Sequence, residues 1–143
     1  MTLRYLLDTG TLSWVIAPVP SEVVVRRLAQ YGARCAIAAP VWHELVYGSQ
    51  RLPPGKRRNE LETFLRDVVQ PTFPVLSYDH AAAGWHGRER ARLEKLGSPM
   101  PYVDGQIAAV ASVNALVLVT TNTKDFARFE DLQLEDWTRS RRR

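Results

Sequence analysis

The sequence is poor in cysteine and histidine, and it contains no long apolar run. Its single cysteine, Cys35, cannot form an internal disulfide, which excludes a disulfide scaffold and predicts a reducing setting such as the cytoplasm. No apolar run approaches the roughly 20 residues that a membrane helix needs, so we expect no membrane span. Arg4 and Asp8 interrupt the N-terminal segment, and we therefore expect no secretory signal there.

The excess of positive charge is concentrated at the C-terminus. The formal net charge is +4, and Arg139, Arg141, Arg142 and Arg143 account for it, because the remaining 15 Lys and Arg balance the 15 Asp and Glu. We expect one domain over residues 1–138, followed by a basic, disordered tail over residues 139–143. Two further basic clusters, at residues 56–58 and 88–92, are interpreted as solvated helix faces, although either one could meet phosphate.

Short apolar segments alternate with helical patterns along the chain. Strands are predicted at residues 3–7, 35–39, 75–78, 116–120 and 133–137. Helices are predicted at residues 14–17, 22–31, 41–47, 61–68, 80–96 and 103–114. Asp79 is the predicted cap of the longest helix, Ser21 caps the second, and Thr9 or Thr11 caps the first. This order predicts an α/β fold with a mainly parallel central sheet of about five strands, flanked by helices.

Asp8 ends the first strand, and three chemistries begin with a similar segment. The Asp8-Thr9-Gly10 triplet matches an aspartic protease, but that class needs a β-rich scaffold, whereas this pattern is strongly helical. A phosphoryl-transferring aspartate needs a second aspartate two residues later as general acid, and Gly10 stands there. The remaining reading makes Asp8 the first carboxylate of a metal-dependent nuclease.

Further polar side chains are predicted at the same edge of the sheet as Asp8. In open parallel α/β sheets, ligands bind outside the carboxyl ends of the strands. Glu44 lies in the first turn of the helix after the second strand, and Asp104 begins the helix that runs back toward the fourth strand. Asn122 and Asp125 follow the end of the fourth strand. The sequence therefore brings three or four carboxylates from distant segments to one place.

Carboxylates gathered at one edge repel each other unless protons or a cation join them. Mg²⁺ and Mn²⁺ prefer carboxylate oxygen and water, whereas zinc prefers His or Cys. His43-Glu44 is similar to the start of a zinc-protease motif, but Tyr47 stands where the second histidine should be. Taken singly, Asp8 could be a turn residue, Asp104 a helix N-cap, and Glu44 a first-turn complement to the helix dipole. Their convergence favours a metal site.

The same pattern leaves one geometric problem open. Two helices are predicted between the second and third strands, and two more between the third and fourth. Two full antiparallel passes would return the chain to the wrong edge for a parallel strand. One helix of each pair must therefore lie across the sheet or form a protruding clip.

Several ordered motifs resemble the PIN-domain ribonucleases, and within them the VapC toxins of type II toxin-antitoxin pairs. The resemblance covers residues 5–137, nearly the whole chain. Its markers are Leu6-Leu7-Asp8-Thr9, Glu44-Leu45 with Gly48, Asp104 with Ile107-Ala108-Ala109, Leu118-Val119-Thr120-Thr121-Asn122-Thr123-Lys124-Asp125-Phe126, and Leu134-Glu135-Asp136-Trp137.

The resemblance implies a site in which Asp8, Glu44 and Asp104 bind Mg²⁺ or Mn²⁺, with Asp125 or Asn122 as the fourth ligand. The charged Asp125 is the preferred candidate. The family commonly has Asn two residues after its first aspartate, and Gly10 in that position puts a supporting hydrogen bond in doubt.

The resemblance also implies an activity and its partners. The expected reaction is hydrolysis of structured RNA, such as tRNA, to 5′-phosphate and 3′-hydroxyl ends, with a metal-activated water as nucleophile. The expected partners are a small VapB-like antitoxin, which covers the acidic site, and a second copy of the chain in a homodimer. The alternative hypothesis is a catalytically weak PIN-like module that binds RNA or protein, with Gly10 as the sign of lost activity.

Overall fold

The computed structural model describes residues 2–139 and forms a five-stranded sheet with helices around it. The strands are β1 (Tyr5–Leu7), β2 (Cys35–Ala38), β3 (Val75–Leu76), β4 (Val117–Val119) and β5 (Leu134–Glu135). The helices are α1 (Thr9–Ser13), α2 (Glu22–Tyr31), α3 (Ala39–Gln50), α4 (Lys56–Phe64), α5 (Gln70–Thr72), α6 (His80–Lys95), α7 (Tyr102–Val113) and α8 (Thr123–Phe126). A 3₁₀ turn (Gly32–Arg34) follows α2, and a π-helical turn (Leu65–Val69) joins α4 to α5.

The sheet is parallel throughout, with strand order β3-β2-β1-β4-β5. Tyr5 pairs with Cys35 on one side and with Val117 on the other, which fixes the register of the three central strands. The predicted fold class is therefore confirmed. The observed strands are shorter than the predicted ones because strand ends are defined by ladder pairing, and hydrogen bonds such as Arg4 N to Arg34 O continue just beyond the ladder.

The three central strands form the middle of the hydrophobic core. Every residue of β1, β2 and β4 is buried, as expected for parallel strands that are covered by helices on both faces. The edge strands are more open, and Val75 of β3 is 48% exposed. Trp137 closes the core beyond β5, packing its ring edge-on against Tyr5 at a centroid distance of 5.1 Å. No helix within residues 2–139 combines the length and apolarity that crossing a membrane requires.

In each of the two double-helix connections, one helix packs on the sheet and the other packs on that helix. In the first, α3 packs on β2 and β3, while α4 packs mainly on α3 and on its own continuation into the π-helical turn. In the second, α7 packs on β2 and β4, while α6 packs mainly on α7. One helix of each pair therefore covers the sheet, and the other lies outside it.

The first helix differs from the prediction. The predicted helix at residues 14–17 is wrong, since turns and bends occupy that segment and α1 starts immediately after β1. Asp8, rather than Thr9 or Thr11, is the N-cap, and its carboxylate accepts a hydrogen bond from the Thr9 amide. Thr11 instead donates its hydroxyl to the Val119 carbonyl at 3.0 Å, which ties α1 to β4. The Ser21 and Asp79 caps are confirmed.

Only the start of the predicted basic tail lies in the described part of the chain. Arg139 is exposed and forms an ion pair with Asp136 at 3.4 Å. Arg141, Arg142 and Arg143 lie outside the described residues. The division into a domain over residues 1–138 and a tail over 139–143 stays a prediction.

Candidate functional site

Asp8 is held rigidly between the carboxyl ends of β1 and β4. Its amide donates to the Val119 carbonyl at 3.0 Å, which continues the sheet by one step. One carboxylate oxygen accepts from the Thr9 amide at 2.8 Å, and the other accepts from the Thr120 hydroxyl at 2.9 Å. Burial raises the pKa of Asp8 above its ordinary value of 3.8, and the hydrogen bonds from Thr120 and Thr9 oppose this only in part. The carboxylate is thus positioned, but it lacks a full counter-charge.

Glu44 approaches Asp8 from the neighbouring helix. Thr9 links the two acids, because its amide donates to Asp8 and its hydroxyl donates to Glu44 at 3.1 Å. The predicted placement of Glu44 in a first helical turn is wrong. Pro40 does not separate strand from helix but sits in the first turn of α3, which begins at Ala39, so Glu44 lies in the second turn. Its position therefore reflects the Thr9 contact rather than the helix dipole.

The position and the pKa of Asp104 show that it lies near the other acids. It is half-buried in the first turn of α7, where Pro101 occupies the N-cap position, so the simple capping explanation of Asp104 is wrong. The pKa of Asp104 is raised from 3.8 to about 6, first by burial and then by the negative charges of Asp8, Glu44 and Asp125. Four acids from four separate segments therefore share one electrostatic environment.

The last two predicted residues lie at the short helix after β4. Asp125 is in α8, and its carboxylate accepts from Arg128 at 3.1 Å. Asn122 is exposed at the N-cap position, where its side chain makes no capping hydrogen bond and its amide donates to the Thr120 hydroxyl at 3.1 Å. The negative charge of Asp125 contributes to the raised pKa of Asp104, whereas Asn122 is neutral and can act only through its amide oxygen.

Arg128 is a residue that the sequence analysis missed. Besides pairing with Asp125, its guanidinium donates to the Pro99 carbonyl at 3.2 Å, and its own carbonyl accepts from Arg92 at 2.8 Å. Arg128 therefore fastens α8 to the loop before α7 and to α6. The signal in the sequence is an arginine three residues after an aspartate, a spacing that brings the two side chains together on one helical turn.

The donor set suits a hard divalent cation. The converging groups are carboxylates, and such oxygens are what Mg²⁺ and Mn²⁺ prefer. The histidines lie elsewhere: His43 and His80 are exposed, and His86 is buried beside Tyr78, to which it is hydrogen-bonded at 2.9 Å. Across residues 2–139, no three His, Cys, Asp or Glu side chains are arranged so that they could hold a metal ion as they stand. A Mg²⁺ ion that keeps several of its waters needs only one or two of these carboxylates as direct ligands.

Gly10 leaves room beside this cluster. A Cβ atom at residue 10 would lie 3.4 Å from the Thr121 hydroxyl oxygen, an ordinary van der Waals contact. A Cβ atom there would therefore fit without a backbone shift, and packing at that atom does not require the glycine.

Most of the basic residues predicted to form solvated faces are paired with acids. Arg58 contacts Glu62 at 3.1 Å, and Arg90 contacts Glu94 at 3.2 Å, each across one helical turn. Arg57 pairs with Glu60 at 3.5 Å. These pairs favour the solvated-face interpretation of both clusters.

Comparisons with known proteins identify the family to which this fold belongs. The PIN domain family matches residues 5–132. The tRNA(fMet)-specific endonuclease VapC of Shigella flexneri is 34% identical over 137 residues, covering 95% of this chain and 99% of that protein. The chain belongs to the PIN domain family.

The relatives narrow the class further. The solved DNA-bound VapBC structure from Salmonella typhimurium has a TM-score of 0.84 and 30% identity, covering 95% of this chain and 99% of that chain. VapBC-5 from Mycobacterium tuberculosis, a member of the VapBC family of toxin-antitoxin systems, has a TM-score of 0.67 and 25% identity, covering 93% and 96%. Within the PIN domain family, the chain belongs with the VapC ribonucleases.

Proposed function

We propose that this chain is a metal-dependent endoribonuclease and the toxin of a type II toxin-antitoxin pair. The observation that carries the proposal is the convergence of the acids at one edge of the sheet: Thr9 is hydrogen-bonded to both Asp8 and Glu44, and the charges of Asp8, Glu44 and Asp125 contribute to the raised pKa of Asp104. A half-buried acid beside three others is a costly arrangement for a folded protein, and a bound cation relieves that cost. The PIN fold and the VapC relatives support ribonuclease chemistry at this site.

The residues of the site have distinct proposed roles. Asp8 and Asp104 are the main metal ligands, with Thr120 and Thr9 fixing the orientation of the Asp8 carboxylate. Glu44 and Asp125 complete the negative field and bind metal directly or through water. Bound Mg²⁺ or Mn²⁺ would lower the pKa of a water molecule and stabilise the leaving oxygen.

Asn122 is the alternative to Asp125 as the fourth ligand. Its backbone N–H donates to the Thr120 hydroxyl, which in turn donates to Asp8, so Asn122 lies one hydrogen bond away from a proposed metal ligand. The ion pair of Asp125 with Arg128 supports a role for Asp125 as a positioned carboxylate whose charge is partly balanced. Metal affinities of Asp125→Asn and Asn122→Ala would separate the two.

The substrate and the partners are proposed from the similarity to the VapC ribonucleases. We propose RNA, and tRNA in particular, as the substrate, with 5′-phosphate and 3′-hydroxyl products because the attacking group is water rather than the 2′-hydroxyl. An antitoxin of the VapB type would bind and cover the acidic site, and the working form would be a homodimer. We place the reaction in the cytoplasm, because its reducing conditions keep a free thiol such as the buried Cys35 unoxidised.

Purified protein tests the catalytic proposal. Incubated with tRNA and Mg²⁺ or Mn²⁺, it should cleave, and EDTA should stop it. Asp8→Asn and Asp104→Asn should each lower the rate at least about 100-fold while the fold is kept. Asp67→Asn is the matched control, because Asp67 is exposed and, among residues 2–139, its one ion pair is with its neighbour Arg66.

Three outcomes would contradict the proposal. If the Asp8 and Asp104 variants cut as fast as the Asp67 control, these acids are not the catalytic centre. If the products carry 2′,3′-cyclic phosphate, the nucleophile is the 2′-hydroxyl and the metal-water mechanism is wrong. If the parent protein binds RNA but cleaves it with neither Mg²⁺ nor Mn²⁺, the chain is the catalytically weak RNA-binding module.

A further inference from the structure

A groove leads away from the acidic cluster along α3. It encloses about 410 Å³ and lies between α1 on one side and α3 with α4 on the other. Thr9 and Glu44 line its inner end, and Arg51 and Arg57 line it farther out. The groove therefore starts at two residues of the candidate site and continues to two cations.

Arg51 is the cation in this groove that is free to bind a ligand. Among the described residues it has no ion pair and no hydrogen bond to a carboxylate, whereas Arg57 already contacts Glu60 and the Ile16 carbonyl. The Arg51 guanidinium lies over the ring of Tyr47, 5.7 Å from its centroid, and Tyr47 is 59% exposed. A flat aromatic face and an uncompensated charge are thus held together on the groove wall.

The spacing along α3 places Arg51 at a useful distance from the acids. Glu44 and Arg51 are seven residues apart, which is two helical turns and about 10 Å along the axis on one face. Successive phosphates of one strand lie about 3.4 Å apart along a stacked duplex and farther apart in an extended strand. A phosphate on Arg51 would therefore be no more than about three nucleotides from one at the acidic cluster.

Gly48 lies between these two residues and has no packing role. A Cβ atom there would find no other atom within 4 Å, so the space beside it is open. Glycine weakens a helix interior relative to alanine, which makes its presence in the middle of α3 unfavourable for stability. A glycine that packing does not need allows another backbone to lie close against the helix.

We propose that this groove holds the RNA strand next to the cleaved bond, with Arg51 binding a backbone phosphate, Tyr47 stacking on a base, and Gly48 allowing close approach. The inference rests on the proposed ribonuclease function and deepens it. Charge complementarity favours RNA over a protein segment, because the outer part of the groove offers arginine and an exposed aromatic ring, which is how single strands are commonly held.

Binding measurements can test the groove separately from catalysis. The probe is a fluorescein-labelled tRNA anticodon stem-loop, titrated into the full chain that carries Asp104→Asn so that the RNA stays intact. In that background, Arg51→Ala should weaken binding about tenfold and reduce the slope of log affinity against log salt by about 0.7, the value for one phosphate contact with a single strand. Arg51→Lys should keep the salt slope and lose part of the affinity, since lysine keeps the charge without the planar group.

The other two residues have their own matched variants. Tyr47→Ala should weaken binding about tenfold, whereas Tyr47→Phe should leave it unchanged because the aromatic face is kept. Gly48→Gln should weaken binding at least tenfold by filling the groove, while Gly48→Ala should have a smaller effect. Arg26→Ala is the control for general charge loss, since Arg26 is exposed on α2 and does not line the groove.

The possible outcomes separate this inference from the function on which it rests. If the parent chain cleaves RNA but the Arg51, Tyr47 and Gly48 variants bind as tightly as the Arg26 control, the groove proposal fails and the nuclease proposal stands. If the parent chain neither cleaves nor binds RNA, the proposed function itself fails. If the groove variants keep their RNA affinity and instead lose the antitoxin, the groove is a protein-docking surface and the proposal is overturned.

Discussion

Replacing Asp104 with asparagine should stabilise the metal-free protein. The pKa of Asp104 is about 6 in the folded protein, against 3.8 for an ordinary aspartate. Above pH 6 Asp104 is therefore ionised in the folded protein, where its negative charge is less stable than in the unfolded chain. Asparagine has nearly the same shape, and it removes that charge without opening a cavity. Loss of activity and gain of stability should go together.

The magnitude follows from the pKa. Each tenfold change in proton affinity corresponds to about 1.4 kcal/mol, so a pKa near 6 would represent about 3 kcal/mol of destabilisation for a fully buried group. Asp104 is only half-buried, and solvent screening lowers the expected gain from Asp104→Asn to about 1–2 kcal/mol. For a chain of this size, the melting temperature should rise by about 3–6 °C.

The pH dependence has a definite sign. Because the folded state binds the Asp104 proton more tightly than the unfolded state, stability falls as pH rises from about 4 to about 6 and stays lower above that. Acidification from pH 8 to pH 5 should therefore recover up to about 1 kcal/mol in the parent, and this gain should be missing in Asp104→Asn. Burial shifts the pKa of Asp8 in the same direction, so Asp8→Asn should behave similarly.

Urea unfolding in EDTA at several pH values measures these differences, with Asp67→Asn as the control of unchanged stability. Adding Mn²⁺ should then reverse the order of the parent and Asp104→Asn. At 100 times its Kd, a bound ion adds about 2.7 kcal/mol to the parent, and the variant should gain much less. If Asp104→Asn is less stable than the parent in EDTA at pH 8, the reasoning from carboxylate repulsion is refuted.

Three further substitutions test the supports of the site and the core. Thr120→Val removes the hydroxyl that Asp8 accepts from, and urea unfolding should show a loss of about 2 kcal/mol, while Thr120→Ser should lose much less. Gly105→Ala drives a Cβ atom into the imidazole of His86, and thermal unfolding should show a loss of about 2 kcal/mol that a second change, His86→Ala, partly relieves. Glu89→Gln weakens a buried carboxylate that accepts two hydrogen bonds from one arginine and one from an amide. Its cost of about 1–2 kcal/mol at pH 7 should shrink as the pH falls below 4.5, because the pKa of Glu89 is lowered in the folded state. An unchanged stability in any of the three would contradict the contact concerned.

The strands and the main helices were predictable because their signals are local. A few neighbouring residues are enough to predict each of these elements. Examples are the apolar run at residues 35–39 and the helix caps Ser21 and Asp79. The helix predicted at residues 14–17 was wrong for an equally physical reason. A one-turn helix can begin almost directly after a strand when the single residue between them caps it, and Asp8 does so by accepting a hydrogen bond from the Thr9 amide.

The sequence by itself determined the α/β alternation and the edge of the sheet at which Asp8, Glu44, Asp104 and Asp125 meet. These follow from strand direction, which every parallel unit shares. The tertiary structure alone decided the contacts between distant segments: Thr9 joining Asp8 to Glu44, Thr120 holding Asp8, and the open space beside Gly48. Such contacts depend on how the ends of β1 and β4 pair and on how α1 packs against α3, and no local pattern in a single sequence encodes the distance between groups that only packing brings together.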